Sequence, residues 1–207
     1  MQRLHQLAKP EVFNRQCLSP ARVYATDSVQ QIRIQYARKA VKEMLLKLKE
    51  AYVSTAHTMK TVVELGANSC DISGYVSMGH MVHAWEVSPR CVEFIVRNYP
   101  WVNLHAEDIE EAEPMSCDIL ILCEILEHLM DPEELVKRWL PNARYALISS
   151  PLKGDLTGDL SGGEHVWSFD EADFMRFPFI GGHIVLSEIS FPMGQYTIKM
   201  LATQRKD

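Results

Sequence analysis

The stretch Asp118–Asp131, DILILCEILEHLMD, constrains this chain more than any other. Its first half is an apolar run with a charge at its entrance, long enough for a buried parallel strand and too short for a helix of its own. The period then changes. Glu124 and Glu127 stand three apart, and Glu124 and His128 four apart. A helical turn would therefore point all three roughly the same way, off the carboxyl end of the strand. That edge is where open α/β sheets hold their ligands.

The same alternation runs through the chain on both sides. Thr61–Leu65, TVVEL, is a β-branched apolar strand ending near Glu64, and it enters GANSCDISGYVSMG directly. A strand, a glycine-containing turn and a helix form the nucleotide-binding βα unit, in which the backbone comes close to the ligand. Gly66 opens this turn, and Asn68 stands where a second close glycine is expected; asparagine tolerates left-handed conformations better than most residues. Met81–Val87 reads as a second strand ending in Glu86, about 20 residues after the turn, the place from which a carboxylate reaches ribose hydroxyls. Ser88 and Pro89 then start a helix with an apolar stripe of Val92, Ile95 and Val96, closed by Pro100. WVNLHAEDI supplies a third strand followed by Asp108, Asp118–Cys123 the fourth and RYALISSP the fifth, with a helix between Asp131 and Pro141. His183–Ser190 and Tyr196–Thr203 both alternate around a turn holding Pro192 and Gly194, which predicts a closing antiparallel hairpin. The expected fold is α/β: a Rossmann-like doubly wound sheet, mostly parallel, with a C-terminal antiparallel hairpin.

Ahead of the first strand, Met1–Ser28 has no sustained period, whereas Ser28 to about Ser54 is helical, with Val29, Ile32, Tyr36, Ala40, Met44 and Leu48 as the apolar stripe and Ser28 as N-cap. The expected division is a helical arm or lid over residues 1–58 and a catalytic domain over 59–207. Met1–Lys60 carries 11 Lys and Arg against 4 Asp and Glu, a balance of +7, while the rest of the 207 residues stands at −13. This is either a basic arm that contacts a phosphate-bearing partner or a helix with a solvated basic face. No run approaches the roughly 18 apolar residues of a membrane span. The first residues lack the apolar core of a secretory signal, so the expected location is the cytoplasm. Five cysteines without a C-x-x-C pair suit reduced, buried thiols.

With these segments in order, the chain from about Thr61 to Thr203 resembles the class I S-adenosylmethionine-dependent methyltransferases. The matching series is VVELGANS, the acid of WEV, AEDI, CDILILCEILEHLMDPEEL and ALISSPL. The resemblance implies S-adenosyl-L-methionine as cofactor. Its methionine portion would lie against the turn of Glu64, Gly66 and Asn68, its ribose on Glu86 beside Val87, and its adenine by Asp108 and Ile109, with Glu124 also near it. Asn68 and Cys70 depart from the family's glycines. Activation of a sulfonium is mainly a matter of alignment and electrostatics in a dry pocket. Acids at the strand ends suit a cation bearing an ammonium and a ribose better than a dinucleotide's phosphates. A nicotinamide-dependent oxidoreductase is the fold-level rival.

Glu124-x-x-Glu127-His128 is similar to the metal site of the small-RNA 3′-end 2′-O-methyltransferases, and to a comparable motif of ubiquinone-biosynthesis-type O-methyltransferases. His165 matches the histidine those sites draw from beyond strand five. The resemblance implies Glu124, Glu127, His128 and His165 as ligands for Mg²⁺ or Mn²⁺, with Zn²⁺ also suited to the donors. Without a metal, His128 or His165 is the candidate general base, or the histidine only lines the acceptor pocket. Trp167, Phe169, Phe174, Phe177 and Phe179 form either an aromatic acceptor pocket or core. His80, His83, His105 and His183 have no partner spacing. Three readings stand: methyl transfer to oxygen or nitrogen of a small metabolite, metal-assisted 2′-O-methylation of RNA, or an inactive cofactor-binding partner subunit.

Overall fold

A computed structural model describes residues 5–6, 28–51, 60–76, 79–151, 165–170, 172–173, 183–193 and 196–205. Strand β1 (His5–Gln6) precedes helix α1 (Ser28–Ala51). Then come β2 (Thr61–Leu65), α2 (Ser73–Val76), β3 (Met81–Trp85), α3 (Pro89–Asn98) and β4 (Asn103–His105). The second half holds β5 (Cys117–Cys123), α4 (Pro132–Trp139), β6 (Ala143–Pro151), β7 (Trp167–Ser168), β8 (His183–Met193) and β9 (Tyr196–Arg205). Seven strands form one sheet in the order β4-β3-β2-β5-β6-β9-β8. Pairings among β4, β3, β2, β5 and β6 are parallel, and β9 runs antiparallel to both its neighbours. The order reverses between β2 and β5, so the carboxyl ends of these two strands flank the crevice of a doubly wound sheet.

Strand alternation divides the core into two layers. On β5, Leu120 and Leu122 face one side with Val63, Leu65, Ile148 and Trp139, whereas Ile119 and Ile121 face the other with Val62, Leu147 and the apolar side of α1. The buried side of α1 is Ile34, Ala37, Ala40, Val41, Met44 and Leu48, so that Ala40, Met44 and Leu48 of the expected stripe face inward while Ile32 and Tyr36 are 49% and 39% exposed. Apolar residues occur on more than one side of this helix, so periodicity permits two overlapping stripes, and only the sheet selects between them. Full burial of a side chain such as Met44 or Leu48 contributes roughly 1.5–3 kcal/mol, an upper estimate.

Local signals differ in how they act. Asp131 accepts from the Glu134 N–H at 2.9 Å, as an N-cap should. Ser88 makes no side-chain cap; its own N–H donates to Glu86 Oε1 at 2.8 Å. Asp118, the charge at the entrance of β5, accepts from the Thr61 N–H at 2.9 Å and so ties the start of β2 to its neighbour. Pro192, expected in the hairpin turn, lies within β8 opposite Thr197. As the terminal strand of the sheet, β8 tolerates a residue without an N–H. His83 and His105 prove to be neighbours, with His83 Nδ1 3.0 Å from His105 Nε2 across adjacent strands. Cys70, Cys91, Cys117 and Cys123 are buried thiols with no disulfide among the described residues. Among the described residues no helix is long and apolar enough to cross a membrane. Phe174, Phe177 and Phe179 lie outside the described residues.

Candidate functional site

The turn leaving β2 is built on left-handed backbone. Gly66 has φ 64°, Asn68 49° and Cys70 54°. A Cβ on Gly66 would stand 2.4 Å from Ile125 Cδ1, so the glycine is what lets the turn after β5 close onto the turn after β2. The Asn68 N–H donates to Glu86 Oε2 at 2.7 Å, and with Ser88 on the other oxygen the Glu86 carboxylate is fixed at the end of β3. Burial raises its pKa, and the N–H groups of Ser88 and Asn68 oppose the rise. Glu64, buried beneath the turn, accepts from the Ser73 N–H at 3.1 Å and the Ser73 hydroxyl at 2.5 Å. Desolvation carries its carboxyl up to about 7 in spite of those bonds.

The segment after β5 departs from a helical face. Glu124 takes φ 56°, and only Leu126–His128 form a 3₁₀ turn. Left-handed backbone turns Glu124 toward β6, where the Ser149 hydroxyl donates to its Oε1 at 2.7 Å. Glu127 points inward, and the Ser150 hydroxyl donates to its Oε2 at 2.9 Å. Its other oxygen, Oε1, is buried without a hydrogen-bond partner among the described residues. Ligand atoms of Glu127, His128 and His165 all lie within 4.8 Å of one another, and the two imidazoles meet edge to face at 4.8 Å between ring centres. Glu124 stands outside this cluster. Burial lifts Glu124 to about 8, with the Glu127 charge adding to the rise, and lifts Glu127 to about 7.

His165 is held by its neighbours. The Val166 N–H donates to Glu127 O at 2.8 Å, and Trp167 Nε1 donates to Leu129 O at 2.5 Å. Trp167–Ser168 also pairs antiparallel with His5–Gln6, which brings the N-terminal strand to this side of the site. Phe169 is completely buried in the core beside Trp139 and Leu126. Of the two expectations for it, its burial supports the core.

On the other flank, Asp108 accepts from the Glu110 N–H at 2.9 Å and thereby shapes the loop after β4. Ile109 belongs to the core at 6% exposure, whereas Val87, at 49%, lies open at the sheet edge. Two residues without a sequence signal complete this flank. Glu110 Oε1 accepts from the N–H groups of Met130 and Asp131, each at 3.0 Å. Arg138 donates to the carbonyls of Ile109, Glu110 and Ala112.

Sequence reasoning also missed Arg33. It reads as one more cation on a basic helix, yet it is 3% exposed and lines a narrow crevice with Glu64, Gly66, Asn68, Asp71 and Cys123. Its charge lowers the proton affinity of Glu64, Glu124 and Glu127. The only hint was its position one residue before Ile34 on the stripe that turned out to face the sheet.

No protein-family model and no curated protein sequence matches the chain. Solved structures do match along nearly its whole length. The magnesium protoporphyrin IX methyltransferase ChlM from Synechocystis PCC 6803, with bound SAM, aligns with a TM-score of 0.67 and 14% identity over 97% of this chain and 98% of that one. The N-methyltransferase NodS from Bradyrhizobium japonicum WM9, in complex with S-adenosyl-L-homocysteine, gives 0.66 and 11% over 95% and 98%. The 1,6-didemethyltoxoflavin-N1-methyltransferase of Burkholderia thailandensis gives 0.61 and 14% over 98% and 93%. With its sheet order and these likenesses, the chain has the class I methyltransferase fold.

Proposed function

We propose that this chain is an S-adenosylmethionine-dependent methyltransferase acting on an oxygen or nitrogen of a small molecule. One observation carries the reading: at the topological switch point, the Gly66 turn closes on Ile125 while its Asn68 N–H is bonded to the carboxylate that ends β3. The residues present fit the cofactor. A side chain at Gly66 would fill the cradle, Glu86 suits ribose hydroxyls, Val87 is an open apolar surface for a base, and Arg33 in the crevice suits a carboxylate. The bound cofactor would supply an electrophilic methyl on a sulfonium. The chain's part is to hold that group, exclude water through the Gly66–Ile125 closure, and take a proton from the acceptor at His128 or His165. Helix α1 brings Arg33 to the crevice, and in this way the 1–58 arm takes part in the site. Two of the similar structures named above are methyltransferases of magnesium protoporphyrin IX and of 1,6-didemethyltoxoflavin, both small molecules, which favours a small acceptor here.

The test has two steps. Calorimetric titration with S-adenosylhomocysteine should give saturable one-site binding, and methyl-labelled S-adenosylmethionine offered with a panel of small amines and hydroxyls should give a labelled product. Absence of binding defeats the cofactor reading. Binding without turnover on any acceptor, RNA included, leaves the inactive partner subunit as the reading that stands.

A second reading rests on the Glu127, His128 and His165 cluster. A buried carboxylate oxygen facing two imidazoles fits a divalent cation such as Mn²⁺ or Mg²⁺. The ion would lower the pKa of a coordinated hydroxyl, as metal-assisted 2′-O-methylation of RNA requires. Turnover that survives exhaustive chelation and His165→Ala rules this reading out. RNA binding that weakens steeply with salt is its expected signature.

A further inference from the structure

Between Gly66 and Ile72 the chain holds two side-chain-bearing residues, Asn68 and Cys70, in the left-handed region. Each carries a cost of roughly 1–2 kcal/mol, and such backbone persists only where its surroundings over-determine it. Asn68 is held from in front, by the bond to Glu86. Cys70 is held from both sides. The Ser69 hydroxyl reaches across it to donate to Asp71 Oδ2 at 2.7 Å. The Cys70 N–H donates to Ala67 O at 2.7 Å, and its carbonyl accepts from the Gly74 N–H at 3.0 Å.

Asp71 joins this turn to the rest of the fold. Its Oδ1 accepts from the Tyr99 hydroxyl at the end of α3 and lies 3.6 Å from Arg38 Nη2 of α1. Arg38 Nε also donates to the Asp71 carbonyl at 2.6 Å. Tyr99 is set against the chain as well, since a Cβ on Gly74 would stand 2.8 Å from Tyr99 Cδ1. A single carboxylate, 8% exposed, thus binds the turn to two helices, α1 and α3.

We propose that Asp71 is a positioning residue for cofactor binding: it holds Cys70 in its left-handed conformation and so fixes the Gly66–Asn68 backbone against Glu86. In this chain a hydrogen-bonded staple takes over what a glycine does elsewhere by having no Cβ. In this role Asp71 acts through Cys70, which the Ser69–Asp71 hydrogen bond spans. The inference rests on the S-adenosylmethionine reading of the switch point.

The experiment measures S-adenosylhomocysteine affinity by calorimetry and thermal stability by melting, for the wild type, Asp71→Asn, Cys70→Gly, their double variant and Tyr99→Phe. Asp71→Asn removes the second acceptor and the charge facing Arg38. It should weaken binding about tenfold, the size of one charge-assisted hydrogen bond. Cys70→Gly has no left-handed penalty to be held against. Added to Asp71→Asn it should restore affinity to within about threefold of the wild type, while its own cavity lowers the melting temperature. Tyr99→Phe loses only a hydroxyl and keeps the fold measurable; its expected loss is a few-fold. Wild-type affinity in both Asp71→Asn and Tyr99→Phe overturns the proposal, and so does a folded double variant that recovers nothing. Failure of the wild type to bind removes the cofactor reading itself, and the proposal with it.

Discussion

Glu64→Gln is expected to make the protein more stable at alkaline pH and not at acid pH. Glu64 is 4% exposed, and the burial that carries its carboxyl from an ordinary 4.5 to about 7 disfavours the charged form by roughly 3 kcal/mol, at about 1.4 kcal/mol per tenfold change in the proton equilibrium. The sign follows from linkage. With the folded-state pKa raised, the native protein binds the proton more tightly than the unfolded chain. The stabilisation is complete below about pH 4.5 and is lost as pH rises through about 7. Between pH 5 and 8.5 the loss comes to roughly 2–3 kcal/mol. The substituted amide never ionises, and its carbonyl oxygen can still accept from the Ser73 N–H and hydroxyl. The assay is urea unfolding of ligand-free wild type and variant at half-unit steps over that range. Subtracting one curve from the other cancels Glu86, Glu110, Glu124 and Glu127, whose raised pKa values slope the same way. Two curves that stay parallel within about 0.5 kcal/mol, at equal m-values, would refute the assignment of a buried, protonatable Glu64.

Three further expectations concern the same crevice. Gly66→Ala meets Ile125 Cδ1 at 2.4 Å on a backbone at φ 64°, so it should destabilise by roughly 2–4 kcal/mol. Ile125→Ala should relieve the part due to the clash, and additivity of the two variants in denaturant unfolding would contradict this. Glu86→Ala leaves the N–H groups of Asn68 and Ser88 without their acceptor; S-adenosylhomocysteine should bind at least about tenfold more weakly in a protein that still melts cooperatively, and unchanged calorimetric affinity would remove the ribose assignment. Arg33→Met should weaken S-adenosylhomocysteine much more than 5′-methylthioadenosine, which lacks the amino-acid end. Equal losses for the two would show that Arg33 does not face a carboxylate.

How much of this site was legible depends on whether a local rule was enough. The strand before Gly66, the acid ending at Glu86 and the run into Glu124 follow from short-range period and turn chemistry, and the sheet places them side by side at its switch point. Helical spacing misjudged Glu124, because a left-handed residue ahead of a 3₁₀ turn breaks the i, i+4 relation that put it beside His128. The Ser149 and Ser150 partners of Glu124 and Glu127 lie on the next parallel strand. Nothing in the local sequence marks them, since pairing register is a property of the assembled sheet.

By itself the sequence determined the order of the strands of the main sheet and of the helices α1, α3 and α4, the doubly wound class and the positions of the acids at the strand ends. Each of these is written in hydrophobic period and in residues with restricted backbone. Only the tertiary structure decided which stripe of α1 faces the sheet, and with it that Arg33 is buried and Ile32 exposed. It also decided that Asp71 joins α1, the turn after β2 and the end of α3, and that His165 meets Glu127 and His128. The physical reason is common to all of these: burial and long-range hydrogen bonds depend on which surfaces meet, and a chain records its own periodicities but not the partners they will find.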